Sequence, residues 1–353
     1  MKVNNALMAR PTVTKKEKNR RKRFAMAVLL TCVAAAMIGG SLHVMELGSM
    51  RMNEMRGKVS YDIAEVDDHI RAAGEDIRIQ AAHEAREGNQ QVYSAADLEI
   101  LLPAEVKAEL NQMILVAAGR FVMGSNALRS NQADQPAHIV DVPDFWMDKY
   151  PVTQAEYAYF VAAEHYRAPL NWEEGKIPAG IEDHPVTLVS WYNARDYCAW
   201  AGKRLPYEAE WEKAARGVDG RRWPWGEKMD VSRLNTYYSV GHTTSVRTYE
   251  QGASVYGVMD MAGNVSEWVF DVFEPYHVDK GAMISFQANE DQFTGTGKEN
   301  VENVVYRVMR GGSWKSDPFS TQSYHRNYSL PNMASNFYGF RCASSHQLNE
   351  VKP

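Results

Sequence analysis

One stretch of the chain carries residue types that could do chemistry: Trp314, Ser316, Asp317, Thr321, Tyr324, His325 and Arg326. They offer hydroxyl and carboxylate acceptors, a titratable imidazole, a guanidinium and aromatic surface. On residue type His325 with Asp317 can run acid–base chemistry, although nothing in their spacing requires it. Other chemistries lack their signatures. No glycine-rich phosphate loop, nucleophile elbow or Cys/His zinc pattern occurs. The chain has three cysteines. Cys32 lies in an apolar run and is inert there. Cys198 and Cys342 are either a disulfide, as exported domains favour, or two separately buried thiols. If joined, they close a long loop, and the bond contributes about 3–5 kcal/mol in the chain-entropy model.

The elements that position these residues follow from the rest of the 353-residue chain. Hydrophobic residues make up 45% and charged residues 24%, an ordinary globular balance. The net charge of −5 argues against a nucleic-acid partner, which needs a basic face. Most of the 9 Trp and 18 Tyr follow residue 144, so the packed core belongs there. The N-terminus is different material. Residues 1–23 end in a basic cluster from Lys15 to Arg23, and residues 24–42 carry no charge. At about 1.5 Å per residue that run spans roughly 29 Å, the thickness of a bilayer core. Residues 24–45 are therefore expected to be a single-pass anchor in the inner (cytoplasmic) membrane. Residues 1–23 stay cytoplasmic and the head is periplasmic or otherwise extracytoplasmic. An uncleaved signal anchor fits better than a cleaved signal, because the run is long and no small-x-small site follows.

Residues 46–112 read as a helical stalk. Ile63, Ile70 and Ile77 recur every seven residues, with Val59, Val66 and Ala73 four before each. Asp62 and Asp67 would oppose each other in a parallel self-pair. The 59–77 seam therefore fits its own head or a helical partner with a basic rim better. Ser94 is placed to cap a short helix, and Pro103 to open the next. The head, residues 113–345, begins with strands at 114–116 and 119–125. Residues 138–142 follow as a half-buried strand. Thr153 with Glu156 forms a capping box. Further helices are expected from Ser190 to Trp200, ended by Gly202, and from Pro206 to Arg216. Beyond residue 217 the Gly, Pro and Asn content predicts loops packed on aromatics, with a polar insertion at 276–305 and a tail at 346–353. Arg204, Arg310, Arg326 and Arg341 read as structural guanidiniums, and residues 208–212 as ion pairs and caps around a core helix. Trp223-Pro224-Trp225-Gly226 reads as core.

Several blocks then occur in a telling order. They are Gly119-Arg120-Phe121-Val122-Met123-Gly124, Tyr150-Pro151-Val152-Thr153-Gln154-Ala155-Glu156-Tyr157, His184-Pro185-Val186 and Arg204-Leu205-Pro206. After them come Gly263-Asn264-Val265-Ser266-Glu267-Trp268, Gly311-Gly312-Ser313-Trp314 and Gly339-Phe340-Arg341-Cys342. Across roughly residues 114–345 the chain resembles the formylglycine-generating enzyme, or sulfatase-modifying factor, family. The resemblance implies an α+β fold, irregular and distantly C-type-lectin-like. It also implies that Cys198 and Cys342 are joined.

Catalytic members oxidise a cysteine of a client sulfatase to formylglycine, using two cysteines that bind copper and activate oxygen. The matching positions here are Ser316 and Thr321, and hydroxyls do not hold that soft metal, so no copper is expected. Sulfoxide synthases of thiol-histidine metabolism carry the domain beside a three-histidine iron site. His69 and His83, fourteen residues apart without a third partner, suit surface histidines better. Relatives carry structural calcium, which maps onto Asn264, the Val265 carbonyl and Glu267, with a doubtful second site starting at Asn235 and Thr236. Relatives also bind an extended client peptide in the groove beside residues 314–326. The N-terminal run and the resemblance together point to a membrane-anchored, exported, non-catalytic factor that binds, or helps assemble or mature, another exported protein or envelope complex. The alternative is a metal-dependent oxidase or maturation enzyme acting on an exported protein, sulfatase modification included.

Overall fold

Short capped helices and short strands carry the fold, and buried ion pairs hold the long connections between them. The computed structural model describes residues 93–128, 130–276 and 306–348, with the backbone of 284–285, all within the second of two units, residues 73–353. The basic tail 1–23, the proposed anchor 24–45, the 59–77 seam, His69, His83 and nearly all of the 276–305 insertion lie outside the described residues. Among the described residues no helix is long and apolar enough to cross a membrane.

Helix α1 (Ala95–Leu101) starts where Ser94 caps it, and the Asp97 carboxylate returns to accept from the Ser94 amide at 2.9 Å. Helix α2 (Ala104–Leu110) follows Pro103, which sits one position earlier than expected, at the cap. Leu98, Leu102 and Leu110 are buried, so both helices pack into the head. Helix α3 (Gln154–Glu164) has the expected box: Thr153 Oγ1 accepts from the Glu156 amide, and Glu156 accepts from the Thr153 amide at 2.8 Å. Helix α4 (Trp191–Trp200) is capped by Ser190, with Asn193 closing the box. Helix α5 (Glu208–Arg216) begins two residues after Pro206. Tyr207 is extended there, and its amide donates back to Glu210 at 2.9 Å. Gly217 ends the helix.

The strands form three small sheets. In the first, β4 (Phe145–Asp148) lies between β1 (Met113–Val116) and β10 (Ala343–Ser344), antiparallel to both. In the second, β3 (His138–Val142) pairs antiparallel with β2 (Gly119–Met123) and parallel with β6 (Ile284–Ser285). The third runs β8 (Arg326–Ser329), β7 (Arg307–Arg310), β5 (Ser266–Val272), β9 (Tyr338–Phe340), with β5 and β9 parallel. Adjacent in sequence, β1 and β2 do not form a hairpin. The buried Lys213 ammonium takes the Ala117 and Gly119 carbonyls at 2.7 and 2.9 Å and splays the two strands into different sheets. In β3, His138, Val140 and Val142 face inward while Ile139 is exposed.

An aromatic core surrounds the contact of α3 with α4, where Tyr157 stacks on Tyr197 at 5.6 Å. A second core lies between α5 and the β2–β3 and β5–β7 strands, centred on Trp211. Trp211 and Trp268 are wholly buried, worth roughly 4–6 kcal/mol of transfer free energy each. From 217 to 265 the only regular structure is two single-turn 3-10 helices, 231–233 and 250–252, as the composition predicts, but beyond 265 the expected loops give way to the four-stranded sheet of β5, β7, β8 and β9. The arginines behave as read. Arg204 clasps Glu210 with two 2.7 Å bonds, Arg326 clasps Glu208, and Arg310 pairs with Glu212 while donating to the Ser323 and Tyr324 carbonyls. The result is a mixed α/β fold.

Candidate functional site

Strand β7 ends at Arg310, whose wholly buried guanidinium fixes where the next loop leaves the sheet. Gly311 and Gly312 then turn the chain in the left-handed region, with φ of 87° and 67°. Gly312 has no alternative: a Cβ there would lie 2.6 Å from the Ser320 carbonyl oxygen, 3.1 Å from Thr321 Cγ2 and 3.2 Å from Ser316 Cβ. Ser316 and Thr321 therefore meet across Gly312. Three backbone bonds tie this loop to the Gly-Asn turn and the 235–238 segment. The Gly263 amide donates to the Gly311 carbonyl, Trp314 to Asn264, and Asn264 to Asn235. The 235–238 segment then straps over the loop. Thr236 Oγ1 and the Tyr237 amide both donate to the Ser316 carbonyl, and the Tyr238 amide donates to that of Trp314 at 2.7 Å.

The hydroxyls of Ser316 and Thr321 are both hydrogen-bonded. Ser316 Oγ accepts from the Ser313 amide at 2.9 Å. Thr321 is wholly buried; its hydroxyl donates to the Pro318 carbonyl at 2.8 Å and accepts from Trp223 Nε1 at 3.3 Å. Trp223 is thus core, as read. Its neighbour Trp225 lines an open depression of about 580 Å³ with Lys228, Asp230 and Arg233.

The seven residues singled out around the loop do not form one surface. Ser316 and His325 are half-buried and Asp317 is exposed. Trp314, Thr321, Tyr324 and Arg326 are buried. Arg326 is committed to Glu208, and its guanidinium lies 4.0 Å from the Tyr276 ring centroid. The dyad of His325 with Asp317 does not form. Asp317 caps the turn 318–321, accepting from the Phe319 and Ser320 amides and the Ser320 hydroxyl. Burial pushes its carboxyl up, but those donors win and hold it below its ordinary value. His325 Nδ1 instead faces Asp134 Oδ2 at 3.2 Å, and the other Asp134 oxygen accepts from the Arg326 amide. Asp134 was invisible in the sequence, 191 residues away in a polar loop. Lys315 carries no signal in the sequence that marks it as part of this site. Its amine packs against Trp314 and Phe337, and burial pushes it down to about 8.

The calcium set does not fit. Glu267 is buried, and both its oxygens are taken: Oε2 by Arg341 Nε and Trp211 Nε1, and Oε1 by Arg341 at 2.6 Å. A divalent ion there would sit against a guanidinium. Asn264 Oδ1 accepts from the Thr244 amide, and its amide group donates to the Thr244 carbonyl and Asp260. Asn235 and Thr236 likewise spend their side chains on the His242 and Ser316 carbonyls. Among the described residues no group of three or more His, Cys, Asp or Glu could hold a metal ion. Cys198 and Cys342 are joined in a disulfide, with Cα atoms 5.6 Å apart.

Known proteins share this domain. Serine/threonine-protein kinase Pkn1 of Chlamydia trachomatis serovar L2 is 35% identical over 73% of this chain and 42% of its own length. Hercynine oxygenase of Mycolicibacterium smegmatis is 34% identical over 70% of this chain and 64% of that enzyme. The inactive C-alpha-formylglycine-generating enzyme 2 of Mus musculus is 29% identical over 66% of this chain and 85% of its own. The solved structure of PvdO from Pseudomonas aeruginosa has a TM-score of 0.52 at 25% identity, covering 66% of this chain and 93% of PvdO. The chain spans about two fifths of the length of the kinases it matches. The family model of the sulfatase-modifying factor enzyme 1-like domain matches residues 100–346, and the chain belongs to that family.

Proposed function

We propose that this protein is a membrane-anchored, exported binding factor that has lost the family's oxidation chemistry and kept its peptide-binding region. The observation that carries the reading is the Ser316–Thr321 pair: two hydroxyls, both hydrogen-bonded within the loop, where the oxidase needs two thiols. A wholly buried disulfide takes Cys198 and Cys342, which leaves no free thiol among the described residues to replace them. That disulfide also favours an oxidising compartment, in keeping with an anchor at 24–45 and a head outside the membrane. The partner is another exported protein or an envelope complex that this factor helps to assemble or mature. Exposed Tyr237, Tyr238 and Phe319 supply apolar contact area around Ser316. The name of the mouse relative, an inactive formylglycine-generating enzyme, gives a precedent for the domain without the activity.

The test places a photo-crosslinking amino acid at Phe319 in the full membrane-bound chain, with the more exposed Val231 as a control. A discrete adduct from Phe319 alone is expected. Identical patterns from the two positions would remove the binding reading.

A further inference from the structure

Lys315 stands between the motif tryptophan and Ser316. Its ammonium lies 4.8 Å from the Trp314 ring centroid and 4.4 Å from that of Phe337. One of its three donors goes to Asn336 Oδ1 at 3.1 Å. Among the described residues no carboxylate pairs with it, and burial alone accounts for its lowered proton affinity. Asp317, two residues on, is spent on its own turn. The rings offset part of the lost hydration, but two N–H donors of a half-buried cation stay open. Open donors on a half-buried cation are met by water or by an anion, and an anion also neutralises the charge.

The neighbouring strap supplies the second half of the argument. Tyr237 and Tyr238 are consecutive left-handed residues, φ 50° and 58°, a conformation that costs about 1–3 kcal/mol each. Their amides are held by the Ser316 and Trp314 carbonyls. Their side chains are 69% and 41% exposed, and the Tyr238 ring meets the Trp314 ring edge-on at 5.6 Å. The strain thus presents two exposed aromatic rings over the loop that carries Lys315, and the Trp314 ring meets both the Tyr238 ring and the Lys315 ammonium.

We propose that Lys315 receives a carboxylate of an extended acidic peptide, with Tyr237 and Tyr238 holding the apolar residue beside it. This deepens the binding reading above and rests on it. The experiment pans a random heptapeptide display library over the full chain in lipid nanodiscs and over Lys315→Met, which keeps the apolar stem. Matching melting temperatures establish that the variant folds. The consensus peptide is then synthesised in three forms: with a side-chain acid, with Gln and an amidated C-terminus, and with Gln and a free C-terminal carboxylate. The wild type is expected to enrich peptides with Asp or Glu beside an aromatic or aliphatic residue. The best carboxylate form should bind at least tenfold tighter than the neutral form, and Lys315→Met should lose that preference. Whichever acid form binds tighter identifies the source of the carboxylate. Peptides enriched equally by both proteins, without acidic preference, would overturn the carboxylate role and leave the groove. No enrichment by either protein would remove the groove and the proposal with it.

Discussion

Replacing both half-cystines, Cys198→Ala with Cys342→Ala, should bring the head close to unfolding. The crosslink spans 144 residues. Releasing a loop of that length restores chain entropy worth about 5 kcal/mol at 25 °C. Both cysteines are wholly buried in the core that holds Tyr157, Tyr197 and Phe340. Losing two sulfurs there adds about 1–2 kcal/mol, taking each as roughly one buried methylene. The sum, about 6 kcal/mol, rivals the whole stability of many domains, about 5–15 kcal/mol. The assay is urea unfolding of the full chain in micelles, followed by tryptophan fluorescence. The midpoint should fall sharply, and the slope should rise because the released chain exposes more surface. A loss below about 2 kcal/mol with an unchanged slope would refute the reasoning, because the crosslink would then not constrain the unfolded chain.

Arg341→Met should cost about 3–5 kcal/mol by stranding the buried Glu267 carboxylate, read from the same urea midpoints. Gly312→Ala should cost at least about 2 kcal/mol, since it combines a left-handed φ with the contact on the Ser320 carbonyl; a neutral result would mean the turn can relax. Burial pushes the carboxyls of Asp260, Glu156 and Asp271 up to about 7. With folded values above unfolded ones, the native state holds extra protons between about pH 4 and 7, so stability falls as pH rises through that window. Asp260→Asn should flatten part of this fall, and parallel profiles for wild type and variant would count against it.

Much of the fold was legible because its signals are local. Thr153 with Glu156, and Ser94, cap their helices as expected, since a cap needs only a side chain three residues from its amide, while Ser190, expected inside its helix, caps it instead. The arginines were legible as structural because buried guanidiniums need carboxylates and carbonyls, and the α5 segment supplied them. What stayed hidden is long-range. The splaying of β1 from β2 depends on Lys213, about a hundred residues on, and the partner of His325 on a loop 191 residues back. The calcium set turns on a contact of the same long-range kind. Asn264 and Glu267 have the right ligand chemistry, but Arg341 reaches Glu267 from 74 residues away. Lys315 was hidden in plain view, because its meaning depends on Phe337 and Asn336, which the chain brings back only after β8.

The most direct test of the central claim is a conversion assay. The full chain is incubated with Cu(I), oxygen, a reductant and a sulfatase-derived peptide carrying the target cysteine, and peptide mass and oxygen uptake are followed together. The account predicts an unchanged cysteine and no uptake above the metal alone. Copper-dependent appearance of the aldehyde, abolished by Ser316→Ala, would contradict it.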